Sequence, residues 1–353
     1  MKLNVRADIQ TLPVYESNTH YAEIVVDANE SPTNPPAAIL EKINKLVADY
    51  QFNRYPQINA YDLRTRIGNI YSLPPENVQV GNGSSSLLSA FCQMFAGRKI
   101  MYPEPSFSMY QVYIQLAQAK GMPYILADDF SLDVDNLIAQ IKLEQPDMVI
   151  LCNPNNPTGN FTNSEAIRRI LEATDCLILL DEAYIEFNTD SCIDYLGEFK
   201  NLAILRTFSK AYALANLRLG YALADVELIN LLNRLLLPYQ VNGLTLLIGE
   251  CVVENLAVYK PQIAQIIDSR QTMSAELQAL GFSVIPSATN FVFFYHQDKV
   301  FMQDLAEFLA ENLISVRNYT AKGILKNGIR LTIGTLAENK EILSVIKEFV
   351  KGR

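Results

Sequence analysis

The stretch Arg206-Thr-Phe-Ser-Lys210-Ala-Tyr-Ala-Leu-Ala-Asn-Leu-Arg218-Leu-Gly-Tyr221 decides how this chain is read. The apolar run Leu202 to Leu205 just before it has the composition of a buried strand. Lys210 therefore sits just past a strand end, where α/β proteins place ligands. Thr207 and Ser209 put hydroxyls beside the lysine, and Arg218 adds a cation eight residues further on. Hydroxyls and a guanidinium around one amine form a donor set suited to holding a phosphate next to a reactive nitrogen.

Two further segments repeat the arrangement. Asn153-Pro-Asn-Asn156-Pro-Thr-Gly159 follows the apolar run Met148 to Cys152, and Asp181-Glu-Ala-Tyr184 follows Cys176 to Leu180. A phosphate cradle and an amine behind successive strands fit pyridoxal phosphate. Each residue alone has a plainer reading: Lys210 as a loop lysine, Asp181 as a helix N-cap, Asn156 as a turn residue before Pro157. Jointly, in this order and spacing, the segments resemble the fold-type I (aspartate aminotransferase-like) pyridoxal-phosphate enzymes, and the resemblance runs over nearly the whole chain.

Composition narrows the alternatives. With 353 residues, 49% of them hydrophobic, the chain can bury a large core and is expected to divide into two domains. Its longest apolar runs, such as Leu177 to Leu180 with Cys176 before it and Phe291 to Tyr295, are far too short to span a bilayer. The opening Met1-Lys-Leu-Asn-Val-Arg-Ala-Asp lacks the apolar stretch of a secretory signal, so a cytoplasmic location is expected, and five cysteines without paired spacing fit reduced thiols there. A net charge of -9 argues against nucleic acid as a partner. Two isolated histidines, His20 and His296, supply neither a metal cluster nor a serine triad.

In chain order, residues 1–30 read as an N-terminal arm ending in Asp27-Ala-Asn29-Glu30-Ser-Pro32, followed by a helix with Ile39, Ile43, Leu46 and Val47 on one face. Asn53-Arg54-Tyr55-Pro56 comes next. Asn-Glu-x-Pro followed by Asn-Arg-Tyr-Pro resembles the histidinol-phosphate aminotransferase branch of the same enzymes. In that branch the tyrosine matching Tyr55 reaches across a dimer interface to the other subunit's cofactor phosphate. The strand Val78 to Val80 runs into Gly81-Asn-Gly83-Ser84-Ser85-Ser86 ahead of a helix, whose free N–H groups suit an anion, so Ser84 and Ser85 are phosphate candidates. The family usually carries an acidic pair where Ser85 and Ser86 stand. Pro103-Glu-Pro-Ser-Phe107-Ser-Met-Tyr110 matches the segment whose aromatic lies flat on the cofactor ring; Tyr110 is the residue expected there, with Phe107 the alternative.

Strands and helices then alternate, with a helix from Asn163 capped by Thr162 and Glu165, so that the fold expected is α/β: a mostly parallel seven-stranded sheet in a large domain (31–240), a connecting helix (241–275) and a smaller α+β C-terminal domain (276–353). The small domain should hold strands near 283–285, 290–295, 314–317 and 329–333 and a last helix capped by Thr335 and Glu338. The resemblance implies that Lys210 carries the cofactor aldehyde and, once freed, moves a proton. It also implies that Asp181 pairs with the ring nitrogen, Asn156 and Tyr184 bond the ring oxygen, and Arg218, Thr207 and Ser209 fix the phosphate. Arg330 matches the family arginine that grips the substrate's acidic end. Arg317 is a second cation, or else a surface charge, and Tyr15 and Asn29 are expected at the same end. Two arginines suit a phosphate dianion. The activity expected is therefore that of a histidinol-phosphate aminotransferase acting as a homodimer, with an aromatic amino acid aminotransferase and a threonine-phosphate decarboxylase as alternatives.

Overall fold

The computed structural model describes residues 22–353 together with residues 6, 9, 10 and 12. In chain order the elements are β1 (Ile24–Val26), α1 (Ala37–Ala48), α2 (Tyr61–Ile70), β2 (Val78–Asn82), α3 (Ser84–Met94), β3 (Lys99–Glu104), α4 (Met109–Leu116), β4 (Lys120–Ile125), α5 (Val134–Glu144), β5 (Met148–Cys152), α6 (Ser164–Glu172), β6 (Leu177–Asp181), β7 (Leu202–Thr207), β8 (Leu219–Ala224), α7 (Val226–Asn233), α8 (Gly243–Val253), α9 (Lys260–Ala279), β9 (Ser283–Ile285), β10 (Phe291–Tyr295), α10 (Lys299–Glu311), β11 (Ile314–Asn318), β12 (Ile329–Thr332) and α11 (Leu336–Lys351).

Seven strands form the large sheet in the order β2-β8-β7-β6-β5-β3-β4. Neighbours from β4 to β7 are parallel, while β8 runs antiparallel to both β7 and β2. The expected mostly parallel seven-stranded sheet is thus present, and its central strands β5, β6, β7 and β8 are buried and apolar over nearly their whole length because both faces are covered. In β6, Ile178 and Leu180 join one core cluster while Leu177 and Leu179 join the cluster on the other face. In β7 the same alternation separates Leu202 and Ile204 from Ala203 and Leu205. This parity continues into the polar residues that end the strands.

The second sheet has the order β1-β11-β12-β10-β9. The arm's end supplies β1, which pairs in parallel with β11, Ile24 opposite Ile314. Joining the first residues described to the last third of the chain brings 27–29 to the mouth of the large sheet. The sequence differs from the structure at three places. The connecting helix expected over 241–275 is two helices, α8 and α9, separated by a 3₁₀ turn at Leu256–Tyr259. The cap of α6 is Asn163, whose side chain accepts the Ala166 N–H, rather than Thr162. The largely apolar stretch Val226 to Leu237 suggests one long helix, whereas α7 stops at Asn233. Thr335 and Glu338 do form a reciprocal capping box at α11.

Candidate active site

A cavity of about 520 Å³ opens at the C-terminal ends of β5, β6 and β7, and both Lys210 and Asp181 line it. Asp181 is the last residue of β6 and is buried. Its Oδ2 accepts the Tyr110 hydroxyl at 2.8 Å and its Oδ1 the Ala183 N–H at 3.2 Å. Burial pushes its carboxyl up to about 6, against the two hydrogen bonds that favour the charged form, and neighbouring Glu182 pushes the same way. No cation is bonded to Asp181 among the described residues, so a positively charged ring nitrogen in the cavity supplies what this carboxylate lacks.

Lys210 Nζ donates to the Ala28 carbonyl at 3.0 Å. Burial first, then the charges of Arg330 and Arg218, bring its amine down to about 8, with Glu30 opposing. A substantial neutral fraction near physiological pH is what an amine needs in order to act as nucleophile or base.

The phosphate end is built around the start of α3. Gly83 precedes it with a φ of 75°, and no side chain caps the helix, so its first-turn N–H groups face the cavity mouth. Gly220 of β8 allows this approach, since a Cβ there would lie 2.2 Å from the Ser84 nitrogen. A Cβ on Gly83 would fall 2.7 Å from Arg218 Nη2, so the guanidinium lies over the helix start. Arg218 Nη1 also donates to Ser209 Oγ at 3.4 Å and to the Ala215 carbonyl at 3.0 Å. Thr207 Oγ1 accepts the Ser209 N–H at 3.1 Å. Ser84, Ser85, Thr207, Ser209 and Arg218 all line the one cavity. Uncapped amides, four hydroxyls and a guanidinium at one end, with a lone carboxylate and an amine at the other, fit pyridoxal phosphate.

The opposite wall comes from the arm and the small domain. Asn29, buried in the left-handed region at φ 54°, donates from Nδ2 to the Tyr184 hydroxyl at 2.9 Å and accepts the Thr332 hydroxyl at 3.1 Å. Tyr184 thereby keeps its own proton for a ligand, and burial holds that proton on firmly by raising its pKa. Arg330 Nη1 donates to Asn156 Oδ1 at 2.6 Å and Nη2 to the Asp27 carbonyl, while its buried Nε has no partner. Its guanidinium carbon stands 5.4 Å above the Phe291 ring. Arg317 pairs directly across from Arg330 between β11 and β12, so both side chains leave the sheet on one face, but only Arg330 lines the cavity.

Some expectations need correction or relocation. Tyr110 is fully buried and does not line the cavity; its hydroxyl is turned onto Asp181 from behind, so it cannot lie flat on a ring there. Phe107, three residues earlier and outside α4, lines the cavity and meets the Tyr110 ring edge-on at 5.5 Å. Tyr55 is 82% exposed, stacks on Tyr239 at 4.6 Å and does not line this cavity. Tyr15 lies outside the described residues. Tyr113, Met109 and Cys152 line the cavity without having been singled out in the sequence; aromatic and sulfur side chains on a helix or strand carry no mark of which face they use.

Comparison with known proteins agrees with this geometry. The family described as "Aminotransferase class I and II" matches residues 23–346. This chain belongs to that family. Among relatives of this aminotransferase, a protein of Carboxydothermus hydrogenoformans named histidinol-phosphate aminotransferase 1 is 38% identical over 341 residues, covering 96% of each chain. One from Thermoanaerobacter sp. (strain X514), named histidinol-phosphate aminotransferase, is 35% identical over 349 residues and 98% of each chain. The crystal structure of a histidinol-phosphate aminotransferase from Sinorhizobium meliloti with pyridoxal-5'-phosphate superposes with a TM-score of 0.91 at 23% identity, over 100% of this chain and 99% of that one. The last comparison establishes the shared fold.

Proposed function

We propose that this aminotransferase moves the amino group of L-histidinol phosphate to 2-oxoglutarate, giving imidazole acetol phosphate and L-glutamate, with pyridoxal phosphate as cofactor. The observation that carries the substrate assignment is the cross-strand pair Arg330 and Arg317. Two guanidiniums on one sheet face, one with an unpartnered buried Nε, match a phosphate dianion better than a single carboxylate. The names carried by the full-length relatives point to the same substrate.

The cofactor, when bound, supplies an electron sink for the bond that is cleaved. Everything else is work for the chain's own residues. Asp181 would set a negative charge against the ring nitrogen, and Tyr184 Oη, held by Asn29, would donate a hydrogen bond to the ring oxygen beside the amide of Asn156. The α3 amides, Ser84, Ser85, Thr207, Ser209 and Arg218 would bind the phosphate, and Phe107, which lines the same cavity, would cover a ring face. Lys210 Nζ, partly neutral near pH 8, removes the proton from the substrate carbon that bears the amine.

In this reading the enzyme is a cytoplasmic homodimer with shared sites. Tyr55 stacks on Tyr239 at the surface, and Phe52 at 71%, Ile58, Tyr61 and Leu237 at 76% are exposed in the segments on either side, apolar side chains of the kind that meet a second copy. Five free cysteines accord with a reducing compartment. Among the described residues no helix is long and apolar enough to cross a membrane.

The decisive assay supplies histidinol phosphate with 2-oxoglutarate and follows glutamate. Carbon dioxide from threonine phosphate without glutamate would replace the transaminase reading by a decarboxylase, and turnover of aromatic amino acids alone would shift the substrate class. Arg330→Ala should raise KM for histidinol phosphate about tenfold or more, as expected for loss of a charged hydrogen-bond set worth roughly 1.5–3 kcal/mol.

A further inference from the structure

We infer that Tyr110 is a positioning residue of this enzyme: its buried hydroxyl turns the Asp181 carboxylate toward the cavity and keeps it in the state the cofactor's ring nitrogen requires. The inference rests on the reading of Asp181 given above and adds a residue that touches neither cofactor nor substrate.

The geometry is specific. Tyr110 belongs to α4 (Met109–Leu116), is 0% exposed, and spends its single proton on Asp181 Oδ2 at 2.8 Å. The Ala183 N–H occupies Oδ1 at 3.2 Å. One donor on each oxygen, both from outside the cavity, leaves the remaining lone pairs directed into it and prevents the carboxylate from rotating about its stem. Phe107 closes the cavity wall and packs edge-on against Tyr110, at 88° between ring planes, so the same helix start supplies the surface against the ligand and the support behind the acid.

Other groups near Asp181 do not duplicate this support. Cys152, opposite it in the β5–β6 register, has its thiol pushed up to about 12 by burial and donates to the Pro154 carbonyl. Glu182 and Tyr184 act on Asp181 only unfavourably to its charge or through space. Tyr110 is therefore the one side chain among the described residues that hydrogen-bonds Asp181. A buried carboxylate without a cation is driven toward the neutral acid, and a hydroxyl donating to it acts in the opposite sense. A protonated Asp181 could not hold a proton on a ring nitrogen, so the hydroxyl preserves the charge on which the site depends.

Tyr110→Phe removes the hydroxyl and keeps the ring. The first measurement uses the cofactor-free protein: a difference-infrared pH titration of the Asp181 carboxyl, its band assigned by loss in Asp181→Asn. The midpoint should rise by about one pH unit, the size expected of one hydrogen bond to a charged group. The second uses the holoenzyme: the acid limb of kcat/KM should move upward in pH, and kcat should fall further below pH 7 than above pH 8, since most of the carboxyl remains ionised at the higher pH. An unmoved infrared midpoint overturns the inference. A midpoint that rises while the acid limb stays fixed overturns it differently, showing a real hydrogen bond to an Asp181 that does not serve the ring, so the role assigned to Asp181 falls with it. Should the Phe variant not accumulate as folded protein, 3,5-difluorotyrosine at position 110, a stronger donor, should shift the same midpoint downward, and an upward or absent shift again counts against the role.

Discussion

Asp181 and Glu182 are adjacent carboxylates at one strand end, and the pleat sends them to opposite faces of the large sheet. Asp181 continues the parity of Leu177 and Leu179, shares its side with Thr207, and opens into the cavity. Glu182 continues the parity of Ile178 and Leu180 and meets Arg206, which continues that of Leu202 and Ile204. Around Glu182 nothing is left over. Glu182 is 0% exposed and receives Arg206 at 2.7 and 3.0 Å, both oxygens take the Ser191 hydroxyl, and Arg206 also reaches the Tyr71 hydroxyl at 2.8 Å. On the front face Asp181 has two neutral donors and no cation, and Arg330 keeps an unpaired Nε. Two buried acids thus differ in whether the protein completes their interactions. A completed set holds the fold, and an incomplete one is complementary to something that binds.

The largest contrast between the faces should come from Lys210. Lys210→Met should lower turnover by at least about 10²–10⁴, the range for a lost acid–base group, while making the cofactor-free protein more stable. The sign follows from the lysine's lowered pKa of about 8 against the ordinary 10.5. Below pH 8 the folded protein carries a disfavoured buried charge that the unfolded chain does not suffer, and this penalty fades as pH climbs toward 10.5. Thermal unfolding at pH 7 and pH 10 should show the gain at the former and little at the latter. Loss of stability at pH 7 would place Lys210 with the structural residues.

Arg206 should behave in the reverse way. Arg206→Ala strands Glu182 in the interior, and breaking such a pair costs about 3–5 kcal/mol, read as a large drop in the denaturant midpoint. Replacing both partners by Glu182→Gln with Arg206→Met should recover much of that loss, because no charge is then left unpaired. A double variant as unstable as the single one would mean that Ser191 and Tyr71, rather than the ion pair, are the sensitive partners.

Much of the front face was legible because its residues follow apolar runs that can only be buried parallel strands. Lys210, Asp181 and Asn156 lie just past, or at the end of, β7, β6 and β5 in both sequence and structure, and Gly83 with Ser84 announces the start of α3. Parity within those runs was equally present, yet it does not say which face carries the cavity, so Arg206 was read with the lysine segment rather than with Glu182. Tyr110 and Phe107 were hard to separate for a related reason: three residues apart at a helix start, their directions depend on where α4 begins, at Met109. Contacts made by the arm were out of reach altogether. Arg330 with Asp27 and Asn29 with Thr332 each span about three hundred residues of chain, and β1 is a three-residue strand whose partner, β11, no local pattern could nominate.

The smallest effect concerns Glu186, one turn beyond Glu182 on the rear side, and it marks where the completeness found around Glu182 ends. Neither of its carboxyl oxygens has a hydrogen-bond partner among the described residues, and burial raises its pKa to about 7 although Arg206 pulls the other way. A carboxyl with a folded pKa above its unfolded value binds its proton more tightly in the folded state. Stability from this group is therefore present below about pH 4.5 and lost as pH rises to about 7. Glu186→Gln keeps the shape and cannot ionise. It should leave unfolding free energy nearly unchanged at pH 4.5 and raise it by up to about 3 kcal/mol at pH 8. If the variant gained equally at both pH values, Glu186 would not be titrating in that window, and the rear face would be electrostatically settled at Glu186 as well as at Glu182.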